Sequence, residues 1–419
     1  MRAYYRALPF ANGLPNWEPA NAAWHGGSEP WPPPNSPAAD TQLDEWAAAD
    51  IEDSAFHPMA AFVDGQCVGA SATISFDVTV PGGRTMPMAG VTATGVIATH
   101  RRRGHLRRMM QAMFVSALER SEPLAMLSAS EGSIYGRFGF SVATYRSRLE
   151  IGRHEAEFLP APADTGSLEL VDATVARSVW PEVHRPVRAN RVGELRPLAS
   201  HWSSLSDSAA GTSGPLRFLI HRSAEGVADG IANFRLPWSA TERDAGTLII
   251  EALEATDSQA YRALWQLLLD FDLTRTVVAP GRPRQEPLTW MLTNPRAVRV
   301  TRQSDNLWAR LLDVPTALAG RAYANEESIT LRIPDDPMCP QNVGTWELKT
   351  RGQRPTCVPV DRVPDAVLSI QAISSLFFGG VSAHDLAYAG QIKANSLDAV
   401  DRISRLFSID PLPHNSFGF

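Results

Sequence analysis

The stretch Gly95-Val96-Ile97-Ala98-Thr99-His100-Arg101-Arg102-Arg103-Gly104-His105-Leu106 joins the end of a strand to a basic glycine turn and the first residues of a helix. A turn of this kind can hold a pyrophosphate. A helix start leaves backbone N–H groups unpaired beside a partial positive charge, and glycine lets an anion approach the main chain closely. Arg101, Arg102 and Arg103 add charge at the same place, although a solvated surface loop would use the same residues. His100 and His105 flank the turn, where solvent exposure or phosphate contact suits them better than a general-base role. No histidine has the HExxH or comparable spacing of a metal site, so no metal is implied.

Such a turn needs a core behind it. Leu106, Met109, Met110, Met113 and Ala117 recur at helical spacing, which predicts a helix with an apolar stripe toward a sheet and Arg107 and Arg108 outside. The upstream residues predict that sheet: a hairpin over 60–70 turning at Asp64-Gly65, a strand over 71–80, a reversal at Pro81-Gly82-Gly83 and a return strand through Gly90 to Val96. Downstream, the apolar run over 124–129 suits a buried strand and leads into Ser130-Glu131-Gly132-Ser133-Ile134-Tyr135-Gly136-Arg137-Phe138-Gly139-Phe140.

The turn at 101–106 resembles the acyl-CoA-binding motif of the GNAT acyltransferases, Arg/Gln-x-x-Gly-x-Gly/Ala, with Leu106 in place of its last small residue. Paired with the tyrosine-bearing segment 130–140, it is similar to the enhanced intracellular survival (Eis) branch, whose members share that leucine. The resemblance implies an α/β (α+β) chain of three domains. These are an acetyl-CoA-binding GNAT domain over 1–150, a degenerate GNAT-like domain over 151–300 and a sterol-carrier-like domain over 301–419. The co-substrate site it implies comprises Thr94, Gly95 and Val96 on the return strand, Arg102, Arg103, Gly104, His105, Leu106 and Arg107 at the turn, and Ser130 and Glu131. In this fold two neighbouring strands splay apart, so the main chain near Val96 can meet the thioester carbonyl.

The resemblance also assigns two catalytic groups. Tyr135 is the general acid toward the CoA sulfur, and a phenol of pKa ~10 is a suitable donor at neutral pH; its other reading is an aromatic packed beside Phe138 and Phe140. The C-terminal carboxylate, here of Phe419, is the base for the amine, directly or through water, since a carboxylate of pKa ~3.3–3.7 is weak. A frayed tail is the common fate of chain ends, but Phe417 and Phe419 can anchor this one. Gly418 stands where some relatives carry an acidic residue, so aminoglycosides lose one charge partner unless Glu29, Asp44 or Glu45 replaces it. Trp24, Trp31, Trp46 and Phe76 are candidates for the amine pocket. Family members assemble as hexamers, which implies a homo-oligomer.

Composition bounds these readings. At 419 residues the chain calls for two or three cores, and 44% hydrophobic against 20% charged residues is ordinary for a soluble globular protein. No run approaches a membrane span and the first residues lack a signal-peptide h-region, so a cytoplasmic location is expected. Cys67, Cys339 and Cys357 have no CxxC spacing and read as packing residues. A net charge of −6 disfavours nucleic acid, and with it a helix-turn-helix reading of the basic segment, and suits a small-molecule amine.

Residues 1–40, with Trp17, Trp24, Trp31 and Pro32-Pro33-Pro34, read as an arm or an aromatic wall, followed by a helix over 43–51. The central region repeats a strand-then-helix order over 247–253 and 261–271, but its connection 254–260 has neither glycine nor basic residue, unlike a pyrophosphate turn. Beyond it, a helix over 314–318 and strands over 328–333 and 344–348 precede helices over 365–376, 382–386 and 396–407. The reading favoured is an acetyl-CoA-dependent N-acetyltransferase of aminoglycoside-like, polyamine-like or lysine amines; the alternatives are a protein-lysine acetyltransferase and an acyl-CoA or lipid carrier without turnover, and Arg103-Gly104 with Tyr135 and a free Phe419 terminus argues against the carrier.

Overall fold

Asp64 and Gly65, with φ of 49° and 77°, turn β1 (Phe56–Val63) back onto β2 (Gln66–Val80) as the Asp-Gly pair predicts. Gly82 and Gly83, also at positive φ, turn β2 onto β3 (Arg84–Val96), and α1 (His105–Glu119) crosses over to β4 (Leu124–Leu127), parallel to β3. The computed structural model describes residues 55–203, 214–237, 246–351 and 354–419. The N-terminal arm with Trp17, Trp24 and Trp31, the helix expected over 43–51, Trp46 and the carboxylates Glu29, Asp44 and Glu45 lie outside the described residues. The stripe on α1 is as read: Met109, Met110, Met113 and Ala117 are buried together with Phe114, while Leu106 is half-buried. Each large side chain buried there contributes about 1.5–3 kcal/mol, so the turn before α1 is anchored on one side.

Two units divide the chain: one holds the residues up to Ala143, Leu307–Ile409 and Phe419, the other Thr144–Asn306 and Asp410–Gly418. In the first, α2 (Gly132–Tyr135) and β5 (Ser141–Val142) follow β4. The second unit is built on one sheet. Its elements are β6 (Tyr145–Gly152), β7 (Ser167–Val171), α3 (Ala173–Asn190), α4 (Ala199–Ser203), β8 (Leu216–Arg222), β9 (Ala228–Arg235), β10 (Thr247–Ala255), α5 (Ser258–Asp270), β11 (Thr276–Arg282) and β12 (Val298–Asp305), with strand order β12-β6-β11-β10-β9-β8-β7. Trp265, Leu264 and Leu268 of α5 join Phe234, Leu248 and Ile250 of the sheet in its core.

The chain then returns to the first unit through β13 (Trp308–Leu311), which lies between β4 and β5, giving the order β1-β2-β3-β4-β13-β5. After α6 (Val314–Gly320) come β14 (Ser328–Ile333), β15 (Gly344–Lys349), β16 (Thr356–Pro359), β17 (Ala366–Leu368), α7 (Ile370–Leu376), α8 (Ala383–Tyr388), β18 (Ile392–Ala394) and α9 (Leu397–Phe407), whose strands form a second sheet, β16-β15-β14-β17-β18. The helix expected over 365–376 is corrected here. Residues 366–368 are recruited as a strand between β14 and β18, and the helix starts only where the Ser369 hydroxyl accepts the N–H of Ala372. Cys67, Cys339 and Cys357 are buried and unbonded to one another. Among the described residues no helix is long and apolar enough to cross a membrane.

Candidate active site

The parallel ladder of β3 and β4 ends after Met88–Leu124, Ala89–Ala125 and Gly90–Met126, while β3 runs on to Val96. From Val91 onward no described strand covers that edge of β3. A bulge accompanies the separation: register slips between Ala70 and Ala72 of β2, and Ala93 takes a φ of 51°, a left-handed conformation that costs an alanine about 1–2 kcal/mol. The Thr94 hydroxyl shares a hydrogen bond with Ser71 (2.7 Å) and donates to the Thr92 carbonyl (3.1 Å). Thr94, Gly95 and Val96 are half-buried beside this opening.

The basic turn that follows is wide open. Arg102 has φ 62° and Gly104 φ 80°, and a Cβ on Gly104 would meet nothing within 4 Å. Gly104 caps α1 without a side-chain hydrogen bond, and the first turn holds no acidic residue, so the leading N–H groups of the helix are unclaimed. Arg102, Arg103 and Arg107 are exposed and make no ion pair among the described residues, whereas Arg101 donates from Nε to the Val96 carbonyl. The corresponding helix of the second unit contrasts with this. The Asp257 carboxylate accepts the N–H groups of Gln259 and Ala260 at the start of α5, so a carboxylate already occupies the anion position there.

His105 corrects an expectation. Its side chain is 7% exposed, with Nδ1 against the Arg108 guanidinium at 3.1 Å. Burial first, then the charges of Arg108, His100 and Arg103, lower its pKa, which favours the neutral ring, and the side chain is not the solvent-exposed group expected there.

Tyr135 closes α2 and is also buried, edge-on to Phe140 at 6.2 Å. Burial pushes its phenol up, opposed by the hydrogen bond from the Ser130 side chain and assisted by the charge of Glu131, so the hydroxyl keeps its proton at neutral pH. Ser130 and Glu131 themselves are exposed. The loop after Tyr135 is held by a residue that sequence reading missed. Gly139, at φ 88°, leaves no room for a Cβ because the Arg310 guanidinium of β13 lies against it. Arg310 is fully buried, pairs with Asp336 at 2.7 Å and stacks over Phe114.

The last residues make packing and hydrogen-bond contacts within each unit. In the first unit the ring of Phe419 lies 5.1 Å from that of Phe76 and packs so closely over Gly90 that a Cβ there would come within 2.8 Å of it. Phe76 is thus the one described member of the four amine-pocket candidates, and it meets the terminal residue. In the second unit, Glu194 accepts the N–H of Ser416 (2.9 Å) and its hydroxyl (2.7 Å), Arg191 donates to the same hydroxyl (2.8 Å), and Val192 accepts from the main chain of His414 (2.9 Å). Tyr135 has Ser130, Glu131 and Phe140 as neighbours; Phe419 has Phe76 and Gly90.

Comparison with known proteins agrees with this architecture. The acetyltransferase (GNAT) domain family matches residues 35–143 and a second GNAT family residues 195–311, and the sterol carrier protein domain family matches residues 314–416. A protein of Streptomyces griseus described as an uncharacterised N-acetyltransferase is 32% identical over 88% of this chain and 91% of its own. The N-acetyltransferase Eis of Mycobacterium tuberculosis is 30% identical over 84% of this chain and 86% of its own. The crystal structure of Eis1 from Mycobacterium abscessus superposes with a TM-score of 0.78 at 31% identity, covering 87% of this chain and 90% of that one. With two GNAT domains, a sterol carrier domain and this degree of identity, the chain belongs to the Eis family of GNAT N-acetyltransferases.

Proposed function

We propose that the protein transfers the acetyl group of acetyl-CoA directly to primary amines of aminoglycoside-like or polyamine-like molecules or of lysine. The observation that carries this reading is the uncapped start of α1, with Gly104 and with Arg102, Arg103 and Arg107, which make no ion pair among the described residues, beside a β3 edge left open by β4. These features fit a CoA: the N–H groups after Gly104, with Arg102, Arg103 and Arg107, would hold its pyrophosphate, and Thr94, Gly95 and Val96 its extended arm, with Ser130 and Glu131 beyond. Bound acetyl-CoA supplies an acyl thioester.

The chain's own groups then divide the proton work. Main-chain N–H near Val96 stabilises charge developing on the carbonyl oxygen. The Phe419 carboxylate takes the proton of the attacking amine, directly or through water, as the new C–N bond forms. Tyr135, buried and protonated at neutral pH, gives its phenolic proton to the sulfur as the C–S bond breaks. By family resemblance the assembly is a hexamer, which light scattering of the full chain reads directly.

The test is release of CoA thiol from acetyl-CoA across aminoglycosides, polyamines and lysine peptides, with the C-terminus left free. Turnover with one of these amines is expected, and Tyr135→Phe should cut kcat by about 10²–10⁴ while leaving acetyl-CoA affinity within twofold. Tight acetyl-CoA binding without turnover across the panel would refute the reading in favour of a carrier.

A further inference from the structure

A cavity of about 640 Å³ opens in the first unit, on elements of both its sheets. Trp308 of β13, Pro334, and Val367 and Leu368 of β17 give it apolar walls. Gly132, Gly136 and Gly390 leave its floor clear: a Cβ on Gly136 or Gly390 would meet nothing within 4 Å, and one on Gly132 only Trp308 at 3.5 Å. That volume lies within the ~300–1,000 Å³ of small-molecule sites.

Most of the polar groups around it are already committed. Ser369 caps α7, the Ser141 hydroxyl accepts from Ser375, and the Gln371 amide donates to the Gly136 carbonyl. The charged group on the wall is Lys393 of β18. The sequence contains two lysines: Lys349 is paired with Glu347 at 2.7 Å, while Lys393 has no ion-pair partner among the described residues. An ammonium facing a largely apolar hollow repels the cationic amines of the transfer reaction and attracts an anion.

We infer that this cavity is a binding site for a small molecule that joins an apolar, aromatic-sized body to a single anionic group, with Lys393 as its counter-ion. The body fills the space between Trp308 and Leu368, and the anion meets the Lys393 ammonium. Because the occupant is negatively charged, the site is separate in chemistry from the amine site, and its test needs no turnover.

The experiment titrates the full-length protein with the fluorescent sulfonate 8-anilinonaphthalene-1-sulfonate and with the uncharged N-phenyl-1-naphthylamine. One saturable sulfonate site per chain is expected. Lys393→Gln should weaken it about 1.5-fold to fivefold, the range of a solvent-accessible ion pair, Lys393→Arg should restore it, and the neutral probe should be indifferent to both. Gly136→Leu, at an ordinary helical φ of −56° with open space before it, should exclude both probes. Equal sulfonate affinity in the parent and Lys393→Gln, or undiminished binding in Gly136→Leu, would overturn the inference.

Discussion

A single methyl group at Gly90 puts the role of the chain terminus to a direct test. Gly90 pairs with Ile74 of β2 on one edge and Met126 of β4 on the other, so its main chain cannot retreat. The Cβ of Gly90→Ala would lie 2.8 Å from Phe419 Cε2 and 2.9 Å from Phe76 Cδ2 and Cε2. Both distances are about 0.7 Å inside normal carbon–carbon contact. Phe76 is 7% exposed and has nowhere to go, whereas Phe419 is half-buried and ends the chain, so the terminal ring yields and its carboxylate moves with it. Misplacing a reacting group by about 1 Å costs up to ~10²-fold, so kcat should fall about 10–100-fold. The overpacking itself should cost about 1–3 kcal/mol of stability. Stopped assays of CoA release give kcat, circular dichroism gives stability, and a second pair of variants removes ambiguity. Phe419→Leu lacks the struck atom of the terminal ring, so the part of the kcat loss that passes through Phe419 should vanish in that background, while the stability cost of the Phe76 contact remains. Parental turnover in Gly90→Ala, or the same loss in both backgrounds, would refute the argument that Phe419 is seated for catalysis.

Two further substitutions probe the remaining machinery. Gly104→Ala should lose about 1–2 kcal/mol in urea unfolding from the left-handed backbone alone, since its Cβ meets nothing, and should weaken acetyl-CoA binding in calorimetry; parental values for both would remove the turn from the site. In the second unit His221 lies between Asp229 (2.6 Å) and Asp164 (2.9 Å). Burial opposes its protonated form, but the hydrogen bonds and charges of the two aspartates raise its pKa above 6.5. Its contribution is therefore full below about pH 6.5 and lost as pH rises through the folded value. Asp164 is shifted the other way; burial is outweighed by its Gly166, His221 and Gln259 hydrogen bonds, so its contribution is lost only as pH falls below the usual carboxylate range. His221→Asn should cost about 1–3 kcal/mol at pH 6 and flatten the decline in melting temperature between pH 6.5 and 9, and an unchanged slope would refute this coupling.

The parts of the fold that were legible beforehand carry local signals strong enough to survive tertiary packing. Asp64-Gly65 fixes a hairpin, and the recurrence of Met109, Met110, Met113 and Ala117 fixes both the helix and its buried face. Gly104 and the arginines beside it mark the proposed anion site because that chemistry needs this residue type at this place. Where nonlocal contacts decide the structure, the residues alone are silent. Pro181 and Pro186 conceal α3, which forms nevertheless with Asp172 as its cap and Trp180 and Val183 buried. Arg310 conceals β13, because a charged residue argues against a core strand until Asp336, 26 residues on, neutralises it. Gly90 shows no local motif, and its need for hydrogen in place of a methyl comes from the rings of Phe419 and Phe76, which only the folded sheet brings over it.

The insertion of β13 between β4 and β5 also sets a timetable for synthesis. Roughly 165 residues separate Val142 from Trp308, and at about 5–20 residues per second the ribosome needs roughly 8–30 s to deliver the missing strand. Throughout that interval the nascent N-terminal sheet carries an open seam at β4, an exposed edge of the kind that invites pairing with other chains. Chaperone capture during elongation is the physical remedy for such an interval. A gene fragment stopping short of Leu311 makes that seam permanent, so it should yield aggregates rather than a minimal enzyme.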